Sequence, residues 1–219
     1  MSKTPQPIQV DIVSDIVCPW CWLGARYFKQ AVKDSGLDVN LTWRPYMLDP
    51  NVPEAGVGYK DYMRTKFGDG PSNKFKAMRE HLEAAAPNAG ISFKFDDIPM
   101  RPNTLNAHRL MSWAEGQGLA NEASEALFEA FFDKLEHVGD KAVLANIADK
   151  IGMDAELVSD LLKGDQDKDK VVEEITFFQG LGITGVPSFI YQGQFAVQGA
   201  QPPQAHIDAL KKAASLSVK

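Results

Sequence analysis

A β-branched run, Gln9-Val10-Asp11-Ile12-Val13-Ser14-Asp15-Ile16-Val17, leads directly into Cys18-Pro19-Trp20-Cys21, and this junction limits the fold more than any other stretch of the chain. Valine and isoleucine at such density suit a buried strand. Proline suits the first position of a helix, where its missing N–H would have had no partner in any case. An apolar stripe of Leu23, Tyr27, Phe28 and Ala31 then runs up to Gly36, a fitting helix end. Val39 to Pro45 alternates as a second strand. The stretch therefore predicts a β-α-β unit with a parallel strand pair and a right-handed crossover, the cysteine pair standing where strand becomes helix.

From about Asn51 to Gly180 the strand signals fade and helical periodicity takes over, interrupted at Pro71, at Pro87 to Gly90, at Gly116 to Gly118 and at Gly139. Helices are expected over Asn103 to Glu115, Ala120 to Glu136, Asp154 to Leu162 and Asp167 to Gln179, while Glu54 to Gly58 and Lys66 to Asn73 read as solvated loops. No fixed-period repeat or low-complexity tract is present. After Gly185-Val186-Pro187, two short runs, Ser188 to Tyr191 and Gln194 to Gly199, flank Gln192-Gly193 as a hairpin. Pro202 and Pro203 then open a terminal helix carrying Ile207, Leu210 and Ala214. The order β-α-β, helices, β-β-α is that of an α/β thioredoxin fold with an inserted all-helical subdomain. Residues 8–50 and 181–219 would form the discontinuous thioredoxin-like domain and residues 51–180 the inserted helical domain.

Composition removes several classes of partner. A net charge of −6, with basic residues scattered in ones and twos, offers no surface for a phosphate backbone, so nucleic acid is not expected. No run of apolar residues is long enough to cross a bilayer, and Met1 to Val10 lacks the apolar core of a secretory signal. A cytoplasmic setting is expected, without membrane attachment. Thiols are kept reduced there, so two cysteines three apart point to catalysis or metal binding rather than to a structural disulfide. A closed zinc site needs four ligands; these are the only two cysteines, and His81, His108, His137 and His206 show no ligand spacing. Neither a metal nor a bound cofactor is expected.

A helix N-terminus presents unpaired N–H groups and the positive end of the helix dipole, which favours a thiolate over a thiol. Cys18 stands at that place, and Cys21 follows one turn along the same face. This arrangement suits a nucleophilic Cys18 and a resolving Cys21 in thiol–disulfide exchange.

The segment Ser14-Asp15-Ile16-Val17-Cys18-Pro19-Trp20-Cys21-Trp22-Leu23-Gly24 resembles the FrnE-type branch of the DsbA family. Pro102-Asn103-Thr104 through Ala107-His108-Arg109-Leu110, Ala126-Leu127-Phe128, Ala130-Phe131-Phe132 and Gly182 to Phe189 are similar to that group in order and spacing. The resemblance implies a thioredoxin domain with an inserted helical domain and dithiol–disulfide exchange through Cys18 and Cys21. It also implies a cis-proline loop at Val186 and Pro187, whose backbone would meet an extended peptide or glutathione. DsbA proper carries histidine where Trp20 stands, so a less oxidising disulfide is expected here. The related 2-hydroxychromene-2-carboxylate isomerases and kappa-class glutathione transferases use serine at the position of Cys18, which favours redox chemistry for this chain.

Pro19, Trp20, Asn103, His108 and Arg109 are the remaining cleft candidates; Trp22 and Phe28 suit either the groove or the core. The expected substrate is a protein or small molecule bearing a thiol or disulfide, with glutathione admitted as co-substrate and a homodimer left open. Two alternatives stand beside this reading: a glutathione-dependent isomerase or transferase, and a non-enzymatic, chaperone-like peptide binder.

Overall fold

The computed structural model describes residues 6–68 and 73–216. Its four-stranded sheet has the order β2-β1-β5-β6, built from β1 (Ile8–Ser14), β2 (Val39–Pro45), β5 (Ser188–Tyr191) and β6 (Phe195–Gln198). β1 is parallel to β2, in register Ile8 with Val39 through Ser14 with Pro45, and antiparallel to β5. The connection from β1 to β2 is α1 (Pro19–Ser35), which ends at Gly36 with φ 63°, a left-handed conformation that glycine adopts without cost. Gln192 and Gly193, both at positive φ, make the turn between β5 and β6.

Alternation along β1 assigns its two faces. Ile8, Val10 and Ile12 pack with Phe28 of α1, with Phe189 and Tyr191 of β5, and with Ala209, Leu210 and Ala213 of α9 (Pro203–Leu216). Val13 points the other way, into a cluster with Tyr46, Phe178 and Ile183. Phe178 lies on α8 (Lys168–Gly180), which contacts β2. The strand is thus covered on both sides, as its nearly continuous β-branched sequence requires.

Between β2 and β5 the chain is mainly helical: α2 (Tyr59–Phe67), α3 (Asn73–Ala89), α4 (Leu105–Glu115), α5 (Ala120–Phe132), α6 (Lys141–Lys150), α7 (Ala155–Lys163) and α8. One large apolar core joins helices α3 through α7 to the start of α1, running from Cys18, Cys21 and Trp22 through Leu110, Phe128 and Phe132 to Leu144 and Leu162. Trp22 stacks on Phe128 and Phe132 and meets Phe93 edge-on. The cysteine pair therefore sits on the seam between the sheet and the helical segment. None of the described helices is long and apolar enough to cross a membrane.

Several boundaries differ from the sequence expectation. β1 stops at Ser14, leaving three residues to turn before Cys18. The segment after Asn51 is not wholly helical: β3 (Val57–Gly58) and β4 (Met100–Arg101) form a two-residue antiparallel ladder. So short a ladder leaves no periodic signal, and it turns part of the expected Glu54 to Gly58 loop into strand. α5 ends at Phe132 rather than Glu136 because Leu135, at φ 62°, cannot continue a right-handed helix. α3 runs through Pro87 to Ala89, since a proline near the C-terminal end costs only a local hydrogen bond. α2 takes up Lys66 and Phe67 from the expected loop, whereas Pro71 and the rest of residues 69–72 lie outside the described residues. So do residues 217–219 at the end of the expected second domain segment.

Candidate active site

After β1, Asp15-Ile16-Val17 turns the chain so that the Cys18 N–H donates to the Asp15 carbonyl at 3.0 Å. Cys18 is thereby the N-cap of α1, and Pro19 is at its start. The Cys18 carbonyl accepts from the N–H groups of Cys21 at 3.0 Å and Trp22 at 3.4 Å. Both cysteines are free thiols. Their environments differ: Cys18, 4 % exposed, lines an open cavity, whereas Cys21 has no accessible surface. Burial pushes the Cys21 thiol well up, and the adjoining Cys18 adds to the rise; the Ser14 hydroxyl and the Asp15 backbone work against it.

The loop before β5 covers Cys18. The Cys18 Sγ–H donates to the Val186 carbonyl at 3.7 Å, and the Val186–Pro187 peptide is cis. The Pro187 carbonyl is itself held by the Gly199 N–H at 2.8 Å. Close contact with α1 depends on Gly24, where a Cβ would lie 3.0 Å from Pro187 Cγ and 3.4 Å from both Ala200 Cα and the Phe189 ring. Gly24→Ala is therefore expected to destabilise the protein by ~1–3 kcal/mol, the usual cost of overpacking against rigid neighbours. Urea unfolding checks this, and a stability equal to wild type would show that the loop yields freely.

Beneath the pair lies a buried charged group. Asp15 accepts from the Leu48 N–H at 2.8 Å and stands 3.5 Å from His108 Nε2, which also reaches the Tyr46 carbonyl at 2.9 Å. Burial alone would raise the Asp15 carboxyl, but His108, Arg101 and the Leu48 N–H outweigh it and hold the group below its ordinary value. Asp15 is thus a fixed negative charge under the turn that carries Cys18.

The cavity beside Cys18 has a volume of about 290 Å³. Trp20, Tyr59, Tyr62, Met63, Leu82 and Phe95 give it an apolar, largely aromatic lining, while Arg101 contributes a cation. Burial pushes the Tyr59 phenol up to about 12, so it stays neutral here. A larger cavity of about 580 Å³, bounded by Arg44, His108, Glu115 and Lys170, is lined by neither cysteine.

The structure brings together Cys18, Cys21, Pro19, Trp20, Val186 and Pro187 from the sequence candidates. It removes three others from the cleft. Arg109, fully buried, donates to the carbonyls of Gln166, Leu161 and Gly164 and to Asn106, tying α4 to the end of α7. Asn103 donates to the Val52 carbonyl and accepts from the Leu105 N–H, which positions α4. His108 supports Asp15 and borders the larger cavity, not the one holding Cys18. Trp22 and Phe28 belong to the core. Sequence reasoning missed Arg101 and the α2 tyrosines; Arg101 immediately precedes the Pro102-Asn103-Thr104 segment, but it comes to line the Cys18 cavity only in the folded chain, where it pairs with Val57 in the β3–β4 ladder.

The model of the DSBA-like thioredoxin domain matches residues 9–211. The chain is 26% identical over 209 residues to the uncharacterized protein YwbO of Bacillus subtilis (strain 168), covering 95% of this chain and 96% of that protein. Among solved structures it is similar to a probable DsbA oxidoreductase, SCO1869, from Streptomyces coelicolor, with a TM-score of 0.85, 28% identity and coverage of 95% of this chain and 90% of that one. The fold is also shared with the cytosolic disulfide reductase DsbM of Pseudomonas aeruginosa with GSH, at TM-score 0.58 and 17% identity over 95% of this chain and 96% of that one.

Proposed function

The chain belongs to the DSBA-like thioredoxin domain family, and on that premise we propose that it is a thiol–disulfide oxidoreductase in which Cys18 forms the bond to substrate and Cys21 resolves it. The observation that carries this reading is the unequal burial of two free thiols on one helical turn: Cys18 opens onto a cavity, and Cys21 is wholly enclosed behind it. A substrate sulfur can reach the first and not the second.

In the reducing direction, the Cys18 thiolate attacks one sulfur of a substrate disulfide RSSR′. A Cys18–S–S–R mixed disulfide forms and R′S⁻ leaves. Cys21 then loses its proton and attacks the Cys18 sulfur, expelling RS⁻. The two released thiolates take up protons, and the protein is left with two electrons fewer as a Cys18–Cys21 disulfide. Two external thiols, glutathione or another donor, return it to the dithiol. Part of what holds the Cys21 proton is the neighbouring Cys18 group, and that contribution ends once Cys18 is bonded to substrate. The Ser14 hydroxyl and Asp15 backbone remain to favour the Cys21 thiolate at the step that needs it. The reading places the chain in the cytoplasm and sets Val186 and Pro187 against the substrate backbone.

Equilibration against a graded series of reduced and oxidised glutathione, followed by thiol trapping, tests the proposal. Wild type is expected to interconvert reversibly between dithiol and intramolecular disulfide, and Cys18→Ser to show no such transition. If wild type forms no intramolecular disulfide across the series, the reading fails and a glutathione-dependent isomerase or transferase replaces it.

A further inference from the structure

The cavity beside Cys18 has a charge pattern that the redox chemistry does not use. Its described lining includes Lys66, Arg79 and Arg101 but no aspartate or glutamate. Two of these cations are already engaged. Arg79 makes paired contacts with Asp96 at 2.6 and 2.7 Å and a further one with Glu83 at 2.7 Å. Lys66 donates to the Tyr62 hydroxyl at 2.7 Å and lies 3.7 Å from Asp49.

Arg101 differs. It is only 5 % exposed, its Nε is buried with no hydrogen-bond partner, and its Nη1 has a long contact of 3.3 Å with the Val17 carbonyl. No carboxylate among the described residues forms an ion pair with it. Asp15 feels its charge but spends its close contacts on the Leu48 N–H and on His108. The guanidinium lies 5.0 Å from the centre of the Tyr62 ring, a contact that attracts the cation without neutralising it. A buried guanidinium with spare donors is costly unless something anionic meets it, and a carboxylate matches its fork.

Resting on the oxidoreductase reading, we propose that Arg101 binds the carboxylate of a small aromatic or otherwise apolar disulfide, or of the corresponding thiol, seated in this cavity with its sulfur at Cys18. The volume of about 290 Å³ is near the lower bound of ligand cavities, ~300 Å³, which suits a single aromatic ring rather than a folded partner. The aromatic lining favours an apolar body, and no carboxylate of the described lining competes for Arg101 inside the cavity. Exchange at Cys18 proceeds by the same balanced steps, the bound molecule supplying RSSR′.

The test uses 5,5′-dithiobis(2-nitrobenzoate) and its neutral dicarboxamide as substrates for wild type, Arg101→Met and Arg101→Lys. Taking the acid-to-amide ratio of kcat/KM for each protein cancels the intrinsic reactivity of the two disulfides. Arg101→Met is expected to lower that ratio by about tenfold, chiefly through KM for the acid, the scale of one charge-assisted contact. Arg101→Lys is expected to restore part of it. An unchanged ratio overturns the proposal and leaves Arg101 as a support for Asp15.

A second measurement uses wild type alone and needs no redox cycling: protection of Cys18 from iodoacetamide by 3-phenylpropionate and by 3-phenylpropionamide. Stronger protection by the acid supports the assignment, and equal protection overturns it. The glutathione series tests the oxidoreductase reading independently, so the two failures can be told apart.

Discussion

Cys21→Ser is expected to cut turnover of a disulfide substrate by on the order of a thousandfold or more while leaving the first covalent step intact. Cys18 remains at the mouth of the cavity in this variant, so attack on substrate still yields a mixed disulfide. Its resolution then lacks a nucleophile, because with Cys21 replaced and Cys18 bonded to substrate no free thiol is left in the chain. The adduct should accumulate and be seen by intact mass spectrometry as protein plus one substrate thiol, released on reduction. Cys18→Ser should form no adduct, since the remaining thiol has no surface and burial holds its proton. Turnover of Cys21→Ser at the wild-type rate would instead mean that an external thiol resolves the intermediate, and that Cys21 is a core residue.

What the sequence allowed one to read, and what it hid, follows from how local each signal is. The strand before Cys18, the proline at the start of α1, Gly36 at its end and the Gln192-Gly193 turn are each written within a few neighbouring residues. The Cys18–Cys21 arrangement was legible for the same reason. Asp140 is a cap of the same local kind, accepting from the N–H groups of Ala142 and Val143, and it would have marked α6 had it been weighed. Arg109 was a cleft candidate on resemblance alone, and nothing near it in the sequence shows its partners, which are backbone carbonyls of α7 and the loop after it, more than fifty positions away. Arg101 and Tyr62 had no local signature; only tertiary packing sets them beside Cys18. The chemistry at the sulfurs is local, whereas the groups that select a substrate are assembled across the fold.

Acid is expected to weaken the fold through His206, a core residue outside the cavity that holds Cys18. His206 of α9 is fully buried against Phe28 and Phe189, and its Nδ1 lies 2.6 Å from the Tyr191 hydroxyl. Burial raises the Tyr191 phenol, so this hydroxyl stays protonated and donates to a neutral imidazole. Nε2 is buried with no partner, and burial lowers the imidazole from 6.5 to about 4. Below pH 6.5 the unfolded chain takes a proton that the folded chain refuses until about pH 4. Stability is therefore full above this window and falls as pH drops through it, by ~3 kcal/mol across the whole range. Glu115 acts in the opposite sense, because burial raises its carboxyl above 4.5 and the folded chain keeps that proton longer as pH rises. Comparing wild type with His206→Gln separates the two, since Glu115 is common to both proteins and glutamine offers Tyr191 an acceptor that does not titrate. Urea unfolding at about pH 7.5 and about pH 5 should show wild type losing ~2 kcal/mol more than His206→Gln. Equal losses would mean that His206 is protonated in the folded protein and that the α9 contact opens to water well before the sheet unfolds.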